Sequence, residues 1–300
     1  MKPKVSVVTP CYNSEHYIVA FLTSLLNQTY SEMEVVLVDD GSTDATPQII
    51  ESFRPRFEQK GISYRYIRQE HRNQAYAVNN GLKYVTGDYL IWPDSDDLLE
   101  PTSVEKRVRY LQQHPEDGMV RSDRYYIDAV TGNRSGGKPD LFRNTKDLFY
   151  PLFFEKCVIC CGTYMIRMSC FDRIHPGREI VIGDGGQNYQ MLLPMAYHFS
   201  CGFVEEALYG VVVHEDSHSN QKRTYAQAKA RMDSLLMICD TVLGDLPMER
   251  KQRARLMSIK KNHCYQILDG RYRHRFRYLL RHLLWRYHGF RYGHLWEKER

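Results

Sequence analysis

Three carboxylates fall within four residues at Asp94-Ser95-Asp96-Asp97. They end the apolar run Tyr89-Leu90-Ile91-Trp92, and Pro93, which has no N–H to give a sheet, turns the chain out of it. Carboxylates this close repel one another and need water, a cation or basic partners. A hard divalent ion such as Mg²⁺ or Mn²⁺ suits them, because it takes oxygen ligands and completes its shell with water and phosphate. Taken alone, the cluster reads equally well as an acidic turn capping the next helix. It has company: Asp39-Asp40-Gly41-Ser42-Thr43-Asp44 closes a second apolar run, Val35-Val36-Leu37-Val38. Thr9-Pro10-Cys11-Tyr12 follows a third, Val5-Ser6-Val7-Val8.

The elements that must position these clusters are legible from hydrophobic spacing. The runs are continuous rather than alternating, as in parallel strands buried on both faces. Ile18, Phe21, Leu22, Leu25 and Leu26 keep to one face of a helix. A second helix has Pro47 in its first turn and Ile49, Ile50 and Phe53 inward. A third covers Asn73 to Leu82, with Ala75, Val78, Leu82 and Val85 on its buried stripe. Strand, turn and helix in repetition predict an α/β fold with right-handed crossovers, whose ligands bind outside the carboxyl ends of the strands. All three polar clusters then share one rim.

The chain resembles a family 2 glycosyltransferase of the bacterial cell-surface polysaccharide type, with the GT-A (Rossmann-like) fold. The matching stretches are Val-Val-Thr-Pro-Cys-Tyr-Asn at 7–13, Val-Asp-Asp-Gly-Ser-Thr-Asp at 38–44, Asn79-Asn80-Gly81-Leu82 with Thr86-Gly87-Asp88-Tyr89, and Asp94-Ser95-Asp96-Asp97. Each is weak alone; their joint order over about the first 110 residues is specific. The resemblance implies a mostly parallel sheet flanked by helices. It implies a nucleoside diphosphate sugar held by Thr9, Pro10, Tyr12, Asp39, Asp40, Asn79, Asp94 and Ser95. Tyr12 would stack on the base and Asp39 accept from a ring N–H, which suits uracil or guanine. Asp96, with Asp94 and His214, would hold Mn²⁺ or Mg²⁺, a Lewis acid for the departing diphosphate.

An inverting transfer needs a carboxylate to take the acceptor's proton. Relatives supply it from a Glu-Asp pair at a helix start, but here Gln187-Asn188 stands in that place, and an amide is no base. Asp184, in the Gly-rich loop just before, is the expected base, with Gln187 and Asn188 orienting the acceptor; an N-cap role is its alternative. His214 or His218 could meet the metal or a phosphate. Cys157, Cys160 and Cys161 lack a second ligand pair at zinc-finger spacing, and the residues between them suggest a buried strand.

With 43% hydrophobic and 26% charged residues the composition is that of a globular chain. Eight cysteines without paired spacing fit a reducing compartment, and no leader or spanning segment is apparent, so a cytoplasmic enzyme is expected. Residues 249–300 hold 15 Lys and Arg against 4 Asp and Glu, a net of +11, while the remainder nets −6. Phe276, Leu279, Leu280, Leu283, Leu284 and Tyr287 share one helical face there, with Arg277 and Arg281 off it. Such a basic amphipathic helix, within 271–296, suits the anionic inner face of a cell membrane ahead of nucleic acid or of docking on the catalytic domain. The expected organisation is a catalytic domain over 1–220, with donor half 1–110 and acceptor half 111–220, and a basic helical extension over 221–300. The other readings are a nucleotidyltransferase, which would release pyrophosphate, and a non-catalytic nucleotide-sugar-binding protein.

Overall fold

The computed structural model describes residues 2–137, 139–181, 186–214, 223–272 and 278–283. Its three apolar runs are neighbouring parallel strands: β1 (Val5–Cys11), β2 (Met33–Asp39) and β4 (Tyr89–Ile91), with β3 (Ser63–Arg68) outside β2. Every residue of β1, β2 and β4 is buried, which is why none of these runs alternates. Cys11 lies opposite Asp39 and Val7 opposite Ile91, so the three chemistry-bearing turns leave the sheet at one edge.

Helices α1 (Ile18–Leu26), α2 (Thr46–Gln59) and α3 (Gln74–Leu82) make the connections. All five apolar residues expected inward on α1 are buried. The rest of the sheet comes from β5 (Leu98–Leu99), β6 (Asp117–Asp128), β7 (Arg134–Gly136), β8 (Tyr164–Arg167) and β9 (Ser200–Val213). The strand order is β3-β2-β1-β4-β8-β6-β9-β5, with β7 paired to β6. Most of the sheet's paired residues are parallel, as expected, and antiparallel pairs enter only in its second half. β8 runs antiparallel to both β4 and β6, β5 is antiparallel to β9, and only β9 joins β6 in parallel. Parallel pairing needs a crossover of a dozen or more residues, and α1, α2 and α3 with their flanking loops supply these only in the first half.

Helices α4 (Ser103–Gln113), α5 (Phe149–Phe153), α6 (Met168–Ile174), α7 (Gln187–His198), α8 (Tyr225–Asp245) and α9 (Arg250–Arg271) complete the chain. Ile238, Cys239, Val242 and Leu243 of α8 and Leu256 and Ile259 of α9 enter the same apolar core as Met191, Leu192 and Leu193 of α7. The described part of the expected extension is therefore built into the protein. A further helical turn at 278–283 leaves Leu279, Leu280 and Leu283 more than half exposed, while Arg281 Nε turns back to Asp269 at 2.8 Å. Phe276, Leu284 and Tyr287 of the expected stripe lie outside the described residues. No helix among the described residues is long and apolar enough to cross a membrane.

One buried carboxylate ties the rim's strands together. Glu34 on β2 accepts from Ser6 Oγ on β1 (2.5 Å), from Thr86 N and Oγ1 (2.6 and 2.7 Å) and from Lys4 Nζ (2.6 Å). Burial pushes its pKa up, but these donors outweigh burial and hold it below the ordinary carboxylate value. Its stabilisation is present above the unfolded-state pKa and is lost as pH falls through the depressed folded one. Glu34→Gln is expected to lose about 1–3 kcal/mol at neutral pH. Urea unfolding should show the gap to the natural protein narrowing as pH falls below the ordinary carboxylate range.

Candidate active site

Each residue of Asp94-Ser95-Asp96-Asp97 has a separate task. Asp97 is buried, and its Oδ1 accepts the Val212 N–H at 2.8 Å, pinning the turn to β9. Burial, with the nearby carboxylates Asp96 and Asp94, pushes its pKa well up. The Ser95 hydroxyl bonds that of Ser14 at 2.9 Å, joining the turn to the segment after β1. Asp94 Oδ1 accepts from Gln74 Nε2 (3.0 Å), Oδ2 from the Cys161 thiol (3.2 Å), and its N–H donates to Tyr209 Oη (3.3 Å). Burial first, then the Asp96 charge, raise Asp94 to about 6. Asp96 keeps a third of its side chain exposed, and its Oδ2 lies 2.9 Å from His214 Nε2. The His214 ring stacks on Tyr17 at 4.2 Å.

This donor set fits the expected metal. The carboxylate oxygens of Asp94 and Asp96 suit Mn²⁺ or Mg²⁺, the imidazole nitrogen of His214 suits Mn²⁺ better than the harder Mg²⁺, and a carboxyl group raised by burial and a like charge would gain from a cation. Among the described residues, the one group of three whose ligand atoms already lie together is instead His114, Glu116 and Asp117, and it has its cation in Lys146 Nζ, 3.1 Å from Glu116 and 3.0 Å from Asp117.

Across the rim, Asp39 is completely buried. Its Oδ1 accepts from Ser42 N and its Oδ2 from Tyr66 Oη, both at 2.8 Å, with Arg68 Nε 3.6 Å away. Asp40 takes Gln69 Nε2 (2.7 Å) and the Arg72 N–H (3.1 Å), with His71 Nδ1 at 2.9 Å, so it holds the 69–72 loop rather than facing outward. Gly41, at φ +79°, is required there: a side chain would meet His71 N at 2.8 Å. Tyr12 is 44% exposed, and its ring stacks on His71 at 4.1 Å. Thr9 and Pro10 are buried inside β1, opposite Leu37 and Val38, so the exposed surface begins after them. The Thr9 hydroxyl has no hydrogen-bond partner among the described residues. Asn79 departs from its expected place: its amide is engaged at both ends by the Ile180 backbone, at 2.8 Å each.

Gln187 and Asn188 begin α7 and reach the same turn. Gln187 donates to Gln74, which in turn donates to Asp94, and Asn188 Oδ1 accepts the Trp92 indole N–H at 3.1 Å. Asp184 and His218 lie outside the described residues. The segment expected as a strand around Cys157 is irregular and leads into a short turn, Cys161–Thr163. Sequence reasoning missed Gln74, His71, Cys161 and Tyr66. Gln74 alone carried a signal, as the first residue of a helix that opens at the rim.

A sheet edge carrying an acidic turn, a buried Asp and an exposed Tyr defines a GT-A glycosyltransferase, and the comparisons agree. A family model described as glycosyl transferase family 2 matches residues 6–174, more than half the chain. Putative glycosyltransferase EpsE of Bacillus subtilis is 27% identical over 74% of this chain and 77% of its own. Putative teichuronic acid biosynthesis glycosyltransferase TuaG, from the same organism, is 31% identical over 55% of this chain and 62% of its own. Among solved structures, S. aureus TarS 1–349 in complex with UDP-GlcNAc superposes with a TM-score of 0.65 at 20% identity, covering 86% of this chain and 72% of that 1–349 chain. The chain belongs to glycosyl transferase family 2 and is a glycosyltransferase.

Proposed function

We propose that the protein transfers a sugar, with inversion, from a nucleoside diphosphate donor to a saccharide or lipid-linked saccharide acceptor in cell-surface polysaccharide synthesis. The observation that carries this reading is Asp96 paired with His214 beside the desolvated Asp94, on the rim shared by Tyr12 and Asp39. Asp94, Asp96 and His214 would hold Mn²⁺ or Mg²⁺, which neutralises the charge left on a departing diphosphate. Tyr12 offers an exposed ring to the base, and Asp39 would accept a ring N–H, which favours UDP over CDP, once the Tyr66 hydroxyl that now covers its Oδ2 gives way. TarS binding UDP-GlcNAc and the teichuronic acid assignment of TuaG support donor and setting. Asp184 is the proposed base, with Gln187 and Asn188 fixing the helix start beside it.

The exposed Leu279, Leu280 and Leu283 support a peripheral contact of this helical turn with anionic lipid. The transfer reading is tested by giving the purified protein Mn²⁺ and a panel of UDP-, GDP- and CDP-sugars. Metal-dependent release of nucleoside diphosphate from one donor supports it, and release of pyrophosphate would point instead to nucleotidyl transfer. Asp184→Asn is expected to lower that turnover about 10²-fold or more while leaving UDP binding intact, by calorimetry.

A further inference from the structure

Lys260 on α9 is completely buried where the helix packs on the apolar core, with its ion-pair partner Glu155 reaching the surface. Its Nζ lies 2.5 Å from Glu155 Oε1 and 3.3 Å from Tyr189 Oη, and over the rings of Tyr189 (5.0 Å) and Phe153 (5.8 Å). Glu155 is placed for this contact at some backbone cost: it ends α5 at φ +57°, the left-handed region that glycine or asparagine enters more easily. Burying an ammonium carries a large desolvation penalty, and an apolar side chain of similar size is often as good or better for stability. Stability alone does not explain this lysine.

Its contact with α7 does. Tyr189 directly follows Gln187 and Asn188, so four consecutive residues at the start of α7 are each fixed from a different side. Gly186, at φ +78°, leaves room only for Ile238 of α8, whose Cδ1 would lie 2.9 Å from a Cβ there. Gln187 is tied to Gln74 and through it to Asp94, and Asn188 to Trp92. Tyr189 is tied to Lys260 of α9. We infer that Lys260 is a positioning residue: through Tyr189 and Glu155 the C-terminal helical pair sets the placement of the α7 start against Asp94. This rests on the reading of the α7 start as the acceptor side of the site. Misplacement of reacting groups by about 1 Å costs on the order of 10²-fold in rate, so the link acts on turnover rather than donor affinity.

The test is Lys260→Met, which keeps the length and removes the charge, in the full chain. The expected result is a kcat lower by about tenfold to a hundredfold, a Kd for UDP with Mn²⁺ within about twofold of the natural protein, and an undiminished Tm. Glu155→Gln should show the same kcat-selective loss, and serves if Lys260→Met does not fold. Combining Lys260→Met with Gln187→Ala should add little beyond the worse single change. The ¹H–¹⁵N signal of the Trp92 indole, assigned with Trp92→Phe, should shift in Lys260→Met because its Asn188 partner moves. Turnover within about threefold of natural with an unmoved indole signal overturns the inference, as does an equal loss of kcat, UDP affinity and Tm. If the natural protein turned over no donor, the proposed function would fall, and the indole signal would still decide the link from Lys260 to α7.

Discussion

Asp96→Ala is expected to reduce metal-dependent donor turnover about 10²–10³-fold, the scale on which removal of one group that stabilises developing charge is felt. Its side chain pairs with His214, and a third of it is exposed. Its loss should therefore move stability by no more than about 1 kcal/mol. Asp97 behaves in the opposite way: its carboxylate is buried on the Val212 N–H, so Asp97→Ala should weaken the fold as well as the reaction. Turnover assays paired with urea unfolding separate the two. A large kinetic loss at unchanged stability for Asp96→Ala identifies it as chemistry; loss of both would make it part of the scaffold.

Gly162→Ala is expected to be among the most damaging single-methyl changes in the molecule. The turn Cys161–Thr163 passes so close to Tyr209 that a Cβ at 162 would sit inside that ring. Neither side can yield cheaply. Tyr209 is completely buried, and the Gly162 carbonyl accepts from the buried Arg107 at 2.8 Å. Overpacking of this kind costs about 1–3 kcal/mol, and more where a ring must move, so a loss of about 3 kcal/mol or more is expected in urea unfolding. Because Tyr209 Oη accepts the Asp94 N–H and Cys161 donates to Asp94, surviving protein should also turn over donor more slowly.

How far the sequence could carry this reading depended on where the information lay. Buried parallel strands have no solvent face, so Val35 to Val38 and Val5 to Val8 announced themselves, and with them the rim. The second half of the sheet was harder: β8 is only four residues long and inverts the sheet direction, which depends on pairing partners distant in sequence. The acidic turns were legible as clusters but not as a division of labour. Nothing in Asp94-Ser95-Asp96-Asp97 says that Asp97 faces β9 while Asp96 faces His214, over a hundred residues on. Asn79 was misplaced because family likeness marks a position and not its partner, here the Ile180 backbone. Lys260 acts only through contacts that span the chain, and no local spacing reveals it; Gln74 was marked only by its place at the start of a helix opening on the rim. Gln187-Asn188, read from sequence as orienting the acceptor, emerges as a tether between α7 and the Asp94 turn.

The central claim is that a divalent cation and a donor diphosphate meet at Asp94, Asp96 and His214. Crystals grown with UDP and Mn²⁺ and measured at the manganese absorption edge test it most directly. The account predicts one anomalous peak between Asp96 and the diphosphate, with the uracil against Tyr12, and no peak in Asp96→Ala crystals. A peak confined to His114, Glu116 and Asp117, or UDP bound away from the Tyr12 and Asp39 rim, would contradict it.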